Sequence, residues 1–266
     1  MPVTPLQKNK VTIINGDEYT DTLIFAHGFG TDQKAWSKVA AAFSPQYRMV
    51  LYDNAGGGDT DPEAFSPNKY DTLHSYADDL LDICDTLDIT NATLVGHSVS
   101  GMIGVLAAVR EPRRFKKMVL VGASPRYRND MDYNGGFDQD TLNSLYEAMA
   151  NNYFAWVSGF AAAAMANANR PQLAEHFAAG LSAIRPDIAQ SVARVIFQSD
   201  HREVLPQLQC DTLLLQTKAD IAVPMDVAVY LNKHISNSKL EVVDAEGHFP
   251  HISAPDAIIS AIKNFL

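Results

Sequence analysis

A chain of 266 residues suffices for one domain, or one domain with a large insertion, around a substantial core. Its net charge of −10, with no basic run to offset it locally, argues against nucleic acid and anionic membranes as partners. The hydrophobic fraction of 47% is ordinary for a globular protein, and no apolar stretch reaches the roughly 20 residues that span a bilayer.

Residues 1–10 lack the apolar core of a signal peptide. The two cysteines, Cys84 and Cys210, lie in apolar-periodic segments without metal-ligand spacing and read as buried free thiols. A cytoplasmic protein is the expectation.

Residues 11–15 read as a first strand, turned by Gly16-Asp17. Residues 22–26 form a near-continuously apolar strand of the kind buried on both faces. It runs into His27-Gly28-Phe29-Gly30, and a helix is expected over 32–43. Residues 48–52 make a third strand, ending at Asp53 and the Gly56-Gly57-Gly58 loop. That loop is no dinucleotide fingerprint, because proline and charge prevent a helix from opening directly behind it. Residues 72–87 carry Leu73, Tyr76, Ala77, Leu80, Leu81 and Cys84 at helical spacing. Strands follow at 92–95 and 118–121, with a helix over 102–109 between them. Strands alternating with helices predict a parallel sheet covered on both faces.

The alternation stops after Gly122. Residues 124–205 show helical periodicity alone, broken at Gly135-Gly136, Arg170-Pro171 and Arg185-Pro186. The stretch is rich in alanine and aromatics: Tyr127, Phe137, Tyr153, Phe154, Trp156, Phe160, Phe177 and Phe197. Two readings stand: an insertion whose aromatics pack its own core, or a lid whose inward aromatics wall a pocket above Ser98. The sheet pattern resumes at 212–216 and 240–243, with helices over 225–235 and 256–265.

Val95-Gly96-His97-Ser98-Val99-Ser100-Gly101 places a serine on a strand-to-helix turn between small residues, the nucleophile-elbow pattern. Ser100 stands where glycine is usual and reads as a tolerated small variant. A serine needs a base oriented by a third group, and on such a sheet they follow in the order serine, acid, histidine. Asp220 and His248 each lie just past a strand, at the carboxyl edge where the elbow also emerges. Ser98, His248 and Asp220 are therefore the expected nucleophile, base and orienting acid.

Asp244 is expected to cap the last strand's turn, Asp211 to sit on the opposite sheet edge, and His251 to serve a helix end or packing. His97 is expected in the elbow's turn, among the substrate-contacting residues rather than as the base. His74, His176, His201 and His234 read as surface or helix residues. The oxyanion donors are expected to be the backbone amides of Val99 and Phe29.

Further motifs are His27-Gly28-Phe29-Gly30-Thr31-Asp32-Gln33, Ser124-Pro125-Arg126-Tyr127, Gly135-Gly136-Phe137, and Ala155-Trp156-Val157-Ser158-Gly159-Phe160. Ser199-Asp200-His201-Arg202-Glu203 and Gly247-His248-Phe249-Pro250-His251 complete them. With the elbow, these make nearly the whole chain resemble the α/β-hydrolase superfamily. Within it the chain is similar to the group of the bacterial stress-response activator RsbQ and the plant strigolactone and karrikin receptors.

The resemblance implies an α/β core over residues 1–123 and 206–266 and a V-shaped four-helix lid over 124–205. It implies a small pocket lined by Phe29, Tyr127, Phe137, Trp156, Phe160 and Phe197, with Ile221 and Ala222 beside Asp220. Gly101, where the plant receptors usually carry alanine, and the 54–58 loop depart from that group and loosen any claim on a particular ligand.

The expected activity is a cofactor-free serine hydrolase, with no metal, acting on a small apolar ester or lactone. The alternative is a ligand sensor with slow hydrolysis whose lid binds a protein: a sensor-linked phosphatase in a bacterium, an F-box protein in a plant. Carbon–carbon bond hydrolysis and perhydrolysis use the same triad and remain open. Dehalogenase or epoxide-hydrolase chemistry would put aspartate at position 98.

Overall fold

Successive residues of the inner strands feed two different apolar layers, as a sheet covered on both faces requires. In the strand of residues 22–26, Ile24 joins one layer with Val50, Leu94, Met118 and Leu214. Leu23 and Phe25 join the other, with Met49, Leu51, Val95, Val119 and Leu213. This arrangement comes from a computed structural model, which describes residues 3–16, 19 and 21–266. The expected turn at Gly16-Asp17 lies partly outside the described residues, because Asp17 is not among them.

In chain order the elements are α1 (Pro5–Lys8), β1 (Thr12–Ile14), β2 (Thr22–Ala26), α2 (Ser37–Ala41), β3 (Arg48–Tyr52), α3 (Leu73–Thr86), β4 (Ala92–His97), α4 (Val99–Arg110) and β5 (Phe115–Val121). Then come α5 (Gln139–Asn151), α6 (Tyr153–Met165), α7 (Pro171–Ala183) and α8 (Pro186–Gln198). The chain ends with β6 (Asp211–Ala219), α9 (Met225–His234), β7 (Ser238–Glu246), α10 (Pro250–Ser253) and α11 (Pro255–Phe265). Among the described residues the sheet order is β1-β3-β2-β4-β5-β6-β7, with only β1 antiparallel to its neighbour. Among the described residues no helix is long and apolar enough to cross a membrane.

The expected β2 and β3 match residue for residue, and the expected continuous helix over 32–43 does not form. Asp32 caps a 3₁₀ turn, Gln33–Trp36, which hands over to the short α2. Trp36 is fully buried beside Phe25, so tertiary packing takes precedence over helical regularity there. Asp244 is corrected too: it lies within β7 and pairs with Lys218, without capping a turn. Asp211 begins β6, on the edge away from the site, as expected.

Four helices, α5 to α8, fill the interval between β5 and β6. Their ends are written locally. Asp138 accepts the N–H of Thr141 at 2.7 Å, Asn152 that of Ala155 at 3.1 Å, and Pro171 and Pro186 open α7 and α8. The two ends of the insertion are tied where it leaves and rejoins the core: the N–H of His201 donates to Pro125 O at 2.8 Å, and Arg126 pairs with Asp200.

Candidate active site

The parallel strands all end at one edge, and the catalytic candidates stand on three of those ends. Ser98 follows β4 with φ 55° and ψ −125°, a left-handed conformation that costs a non-glycine residue about 1–3 kcal/mol. The surroundings hold it there. Its N–H donates to Val121 O at 2.8 Å, and the turn folds back so tightly that a Cβ on Gly96 would come within 2.8 Å of Ser100 O. A Cβ on Gly101 would approach Ala123 Cβ to 2.7 Å. Val99 is the first residue of α4, so its amide has no i−4 partner and points the helix's positive end at the serine.

Ser98 Oγ lies 2.8 Å from His248 Nε2, and His248 Nδ1 lies 2.7 Å from Asp220 Oδ2. The Asp220 side chain is 1% exposed. Its Oδ1 accepts the N–H groups of Ala222 (2.8 Å) and Val223 (3.1 Å), while Gln216 Nε2 reaches Oδ2 at 3.4 Å. These bonds fix the carboxylate so that it holds the imidazole with Nε2 facing Ser98. The expected acid, base and hydroxyl are brought together.

Two features beside the serine were not foreseen. Tyr127 Oη is 3.2 Å from Ser98 Oγ, and burial raises its pKa above the ordinary phenol value, so it keeps its proton and is able to donate to Ser98. With Tyr127 as donor, Ser98 is free to give its own proton to His248 Nε2 at 2.8 Å. Ser100, expected as a mere tolerated variant, is fully buried; its Oγ donates to His27 O and accepts from Asn54 Nδ2 at 2.9 Å. Asn54 Nδ2 also donates to His27 O at 3.0 Å, and Asn54 N–H donates to His27 Nε2 at 3.0 Å. That sets the tautomer of His27, whose Nδ1–H donates to Gly28 O at 2.8 Å. The network holds the loop bearing Phe29 against the elbow, where a Cβ on Gly28 would meet Ser98 Cβ at 3.2 Å. Serines and asparagines scattered through the chain carry no sequence signal of such a network.

The insertion's aromatics form two groups. On one side Trp156 stacks on Phe160 (5.0 Å), Phe160 meets Phe177 (6.1 Å), and Phe177 meets Phe249 (4.4 Å) beside His248. On the other, Phe197 packs edge-on against Tyr127 (5.3 Å) and Phe137 (5.4 Å). An apolar cavity of about 30 Å³ opens against Phe29 and Val99, walled by Leu73, Tyr76, Ile103, Ile184, Val192 and Ile196. None of these six wall residues was singled out for this from the sequence, because their helical spacing reads equally as core.

Two expected substrate contacts are corrected. His97 is fully buried, its Nε2–H donating to His248 O at 2.8 Å and its ring packed between His248, Phe249 and His251. Burial, then the nearby His251 and His248, push its pKa well down, so it lies under the site as a neutral brace. Ile221 is 52% exposed, because the two amides bonded to Asp220 Oδ1 turn the intervening residue outward, while Ala222 is buried. His251 takes the packing role foreseen for it, stacked on Trp36 at 4.3 Å with its pKa lowered by burial to about 3.

Fold and site together define the α/β-hydrolase class, and the chain belongs to that family: the model of the α/β hydrolase fold matches residues 21–255. Among curated proteins it is 44% identical to "Strigolactone esterase RMS3" of Pisum sativum, covering 94% of this chain and 92% of that one. It is 42% identical to "Karrikin insensitive 2 receptor CA" of Petunia hybrida, covering 96% and 94%. A solved hydrolase, olei00960 of Oleispira antarctica, superposes with a TM-score of 0.93 at 31% identity, over 98% and 95% of the two chains.

Proposed function

We propose that this protein is a serine hydrolase cleaving a small, largely apolar carboxylic ester or lactone under a lid formed by residues 124–205. Ser98 Oγ attacks the carbonyl carbon as His248 Nε2 takes its proton, and Asp220 stabilises the imidazolium. The amides of Phe29 and Val99 bind the oxyanion; such a donor is typically worth about a hundred- to a thousandfold in turnover. Collapse expels the alcohol, which takes the proton from His248 and in a lactone stays tethered to the acyl group. A water then gives a proton to His248 as it attacks the acyl carbon, and His248 returns that proton to Ser98 Oγ as the acyl–oxygen bond breaks and the acid leaves. No cofactor is needed for this chemistry.

The observation that carries the reading is the unbroken Ser98–His248–Asp220 chain at 2.8 and 2.7 Å. Its test is Ser98→Ala on p-nitrophenyl acetate and butyrate, together with fluorophosphonate labelling. Activity is expected to vanish, with the label on Ser98 of the unaltered chain. Full activity in the variant overturns the reading.

A second reading is a ligand sensor of the strigolactone- or karrikin-receptor type, in which slow hydrolysis accompanies signalling. It is favoured by relatives named as receptors and by the outer face of α6, a helix without a charged residue whose Phe154 is 62% exposed. In this reading α6 docks a protein partner, a phosphatase in a bacterium or an F-box protein in a plant. A cytoplasmic location accords with the free thiols of Cys84 and Cys210. Turnover discriminates: many cycles per minute on some small ester supports the enzyme. A few per hour across a broad panel, with a ligand raising Tm by several degrees, supports the sensor.

A further inference from the structure

The last carbonyls of a helix lack intrahelical partners, and what satisfies them shows what the helix end is docked against. At the end of α6, Ala164 O accepts the backbone N–H of His248 at 2.7 Å. The chain then leaves α6 through two non-glycine residues with positive φ, Ala166 (51°) and Asn167 (56°). Asparagine tolerates that conformation better than most residues, and here its side chain is used in full. Asn167 Nδ2 donates to Met165 O at 2.9 Å and, across the boundary, to Glu246 O at 3.1 Å. Its Oδ1 accepts from Arg170, which donates to Ser253 O in α10 at 2.8 Å. Gly247, at φ 85°, lies so close to this turn that an added Cβ would overlap the Met165 carbonyl. Residues 164–170 therefore clasp the loop bearing His248 on both sides.

We propose that Asn167 is a positioning residue for His248, and that the α6–α7 turn is a clamp linking the insertion to the catalytic base. The proposal rests on the hydrolase reading above. Phe160 and Trp156 precede Ala164 by four and eight residues on α6, about 6 and 12 Å along its axis. A ligand packing against those rings bears on the same rigid rod whose end holds His248. The core contributes the opposing holds: Asp220 at Nδ1 and His97 at the His248 carbonyl. The imidazole is thus located between two bodies, and only one of them is the sheet.

The test compares Asn167→Gly and Asn167→Asp, both compatible with the left-handed backbone, with Asp138→Ala, which removes the N-terminal cap of α5, a different helix of the insertion. Both Asn167 variants are expected to lose about tenfold in kcat with KM held within about twofold, because displacing a reacting group by a fraction of an ångström acts on the chemical step. Asp138→Ala is expected to keep kcat within about twofold while lowering Tm at least as much. Unchanged kcat in both Asn167 variants, or an equal loss in Asp138→Ala, overturns the clamp. Fluorophosphonate labelling of Ser98 in the unaltered chain separates the two levels: without label the hydrolase reading itself fails, with label only the clamp is at stake.

Discussion

The carboxyl edge of the sheet and the four-helix insertion converge on one hydroxyl, and they are held by different means. Ser98 and Asp220 sit at the ends of hydrogen-bonded strands, Ser98 in a turn too crowded for another backbone path and Asp220 in one held by two amides on its Oδ1. Displacing either would break a ladder. The insertion is held by caps, aromatic contacts, two polar ties at its base and the α6–α7 turn, with no strand ladder joining its helices to the sheet, so its helices can re-pack at lower cost. Chemistry on the stiff part and selectivity on the adjustable part is a division expected of sites that serve varied ligands. His248 belongs to both: Asp220 and His97 hold it from the core, and Ala164 and Asn167 from the insertion.

If that division is right, substitutions on the sheet side should cost kcat and those on the insertion side, away from the Ala164–Asn167 hold on His248, should cost KM. The largest effect is expected for Asp220→Asn, which keeps the shape but favours the wrong tautomer of His248. Steady-state kinetics should show kcat falling about 10⁴-fold with KM little changed. A loss below about tenfold would mean that Asp220 does not orient the base.

Ser100→Ala tests the buried network behind the Phe29 loop. It removes one of the two donors to His27 O and one of the two acceptors of Asn54 Nδ2. About 1 kcal/mol of stability should go, read as urea midpoint, with about tenfold of kcat as the oxyanion loop loosens. Unchanged kcat would show the network to be structural only.

Trp156→Ala, on the insertion side, should raise KM for p-nitrophenyl butyrate about tenfold and leave kcat within about threefold. A kcat loss as deep as that of Ser100→Ala would erase the distinction between the two regions.

Much of the sheet side was legible in the chain itself. Buried parallel strands are short apolar runs, and β2 and β3 match the reading to the residue. That Ser98, Asp220 and His248 come together was legible because each follows such a run, and chain direction then assigns all three to one edge. The proline and glycine breaks likewise announced the helices of the insertion. The errors were of another kind. His97 and Ile221 occupy suitable sequence positions, but one ring is spent on the His248 carbonyl and the other side chain is turned outward by the bonds to Asp220.

Local sequence thus determined which segments become strands and helices and which three groups could react, because hydrogen-bond periodicity and turn sterics act over a few residues. Tertiary structure alone decided that Tyr127 touches Ser98, that Ser100 braces the Phe29 loop, and that Asn167 clasps the histidine loop. Each of those contacts joins groups at least 29 residues apart in the chain. Polar side chains become partners only after burial has removed water as the competing one, and no spacing along the chain records which pairs that will be.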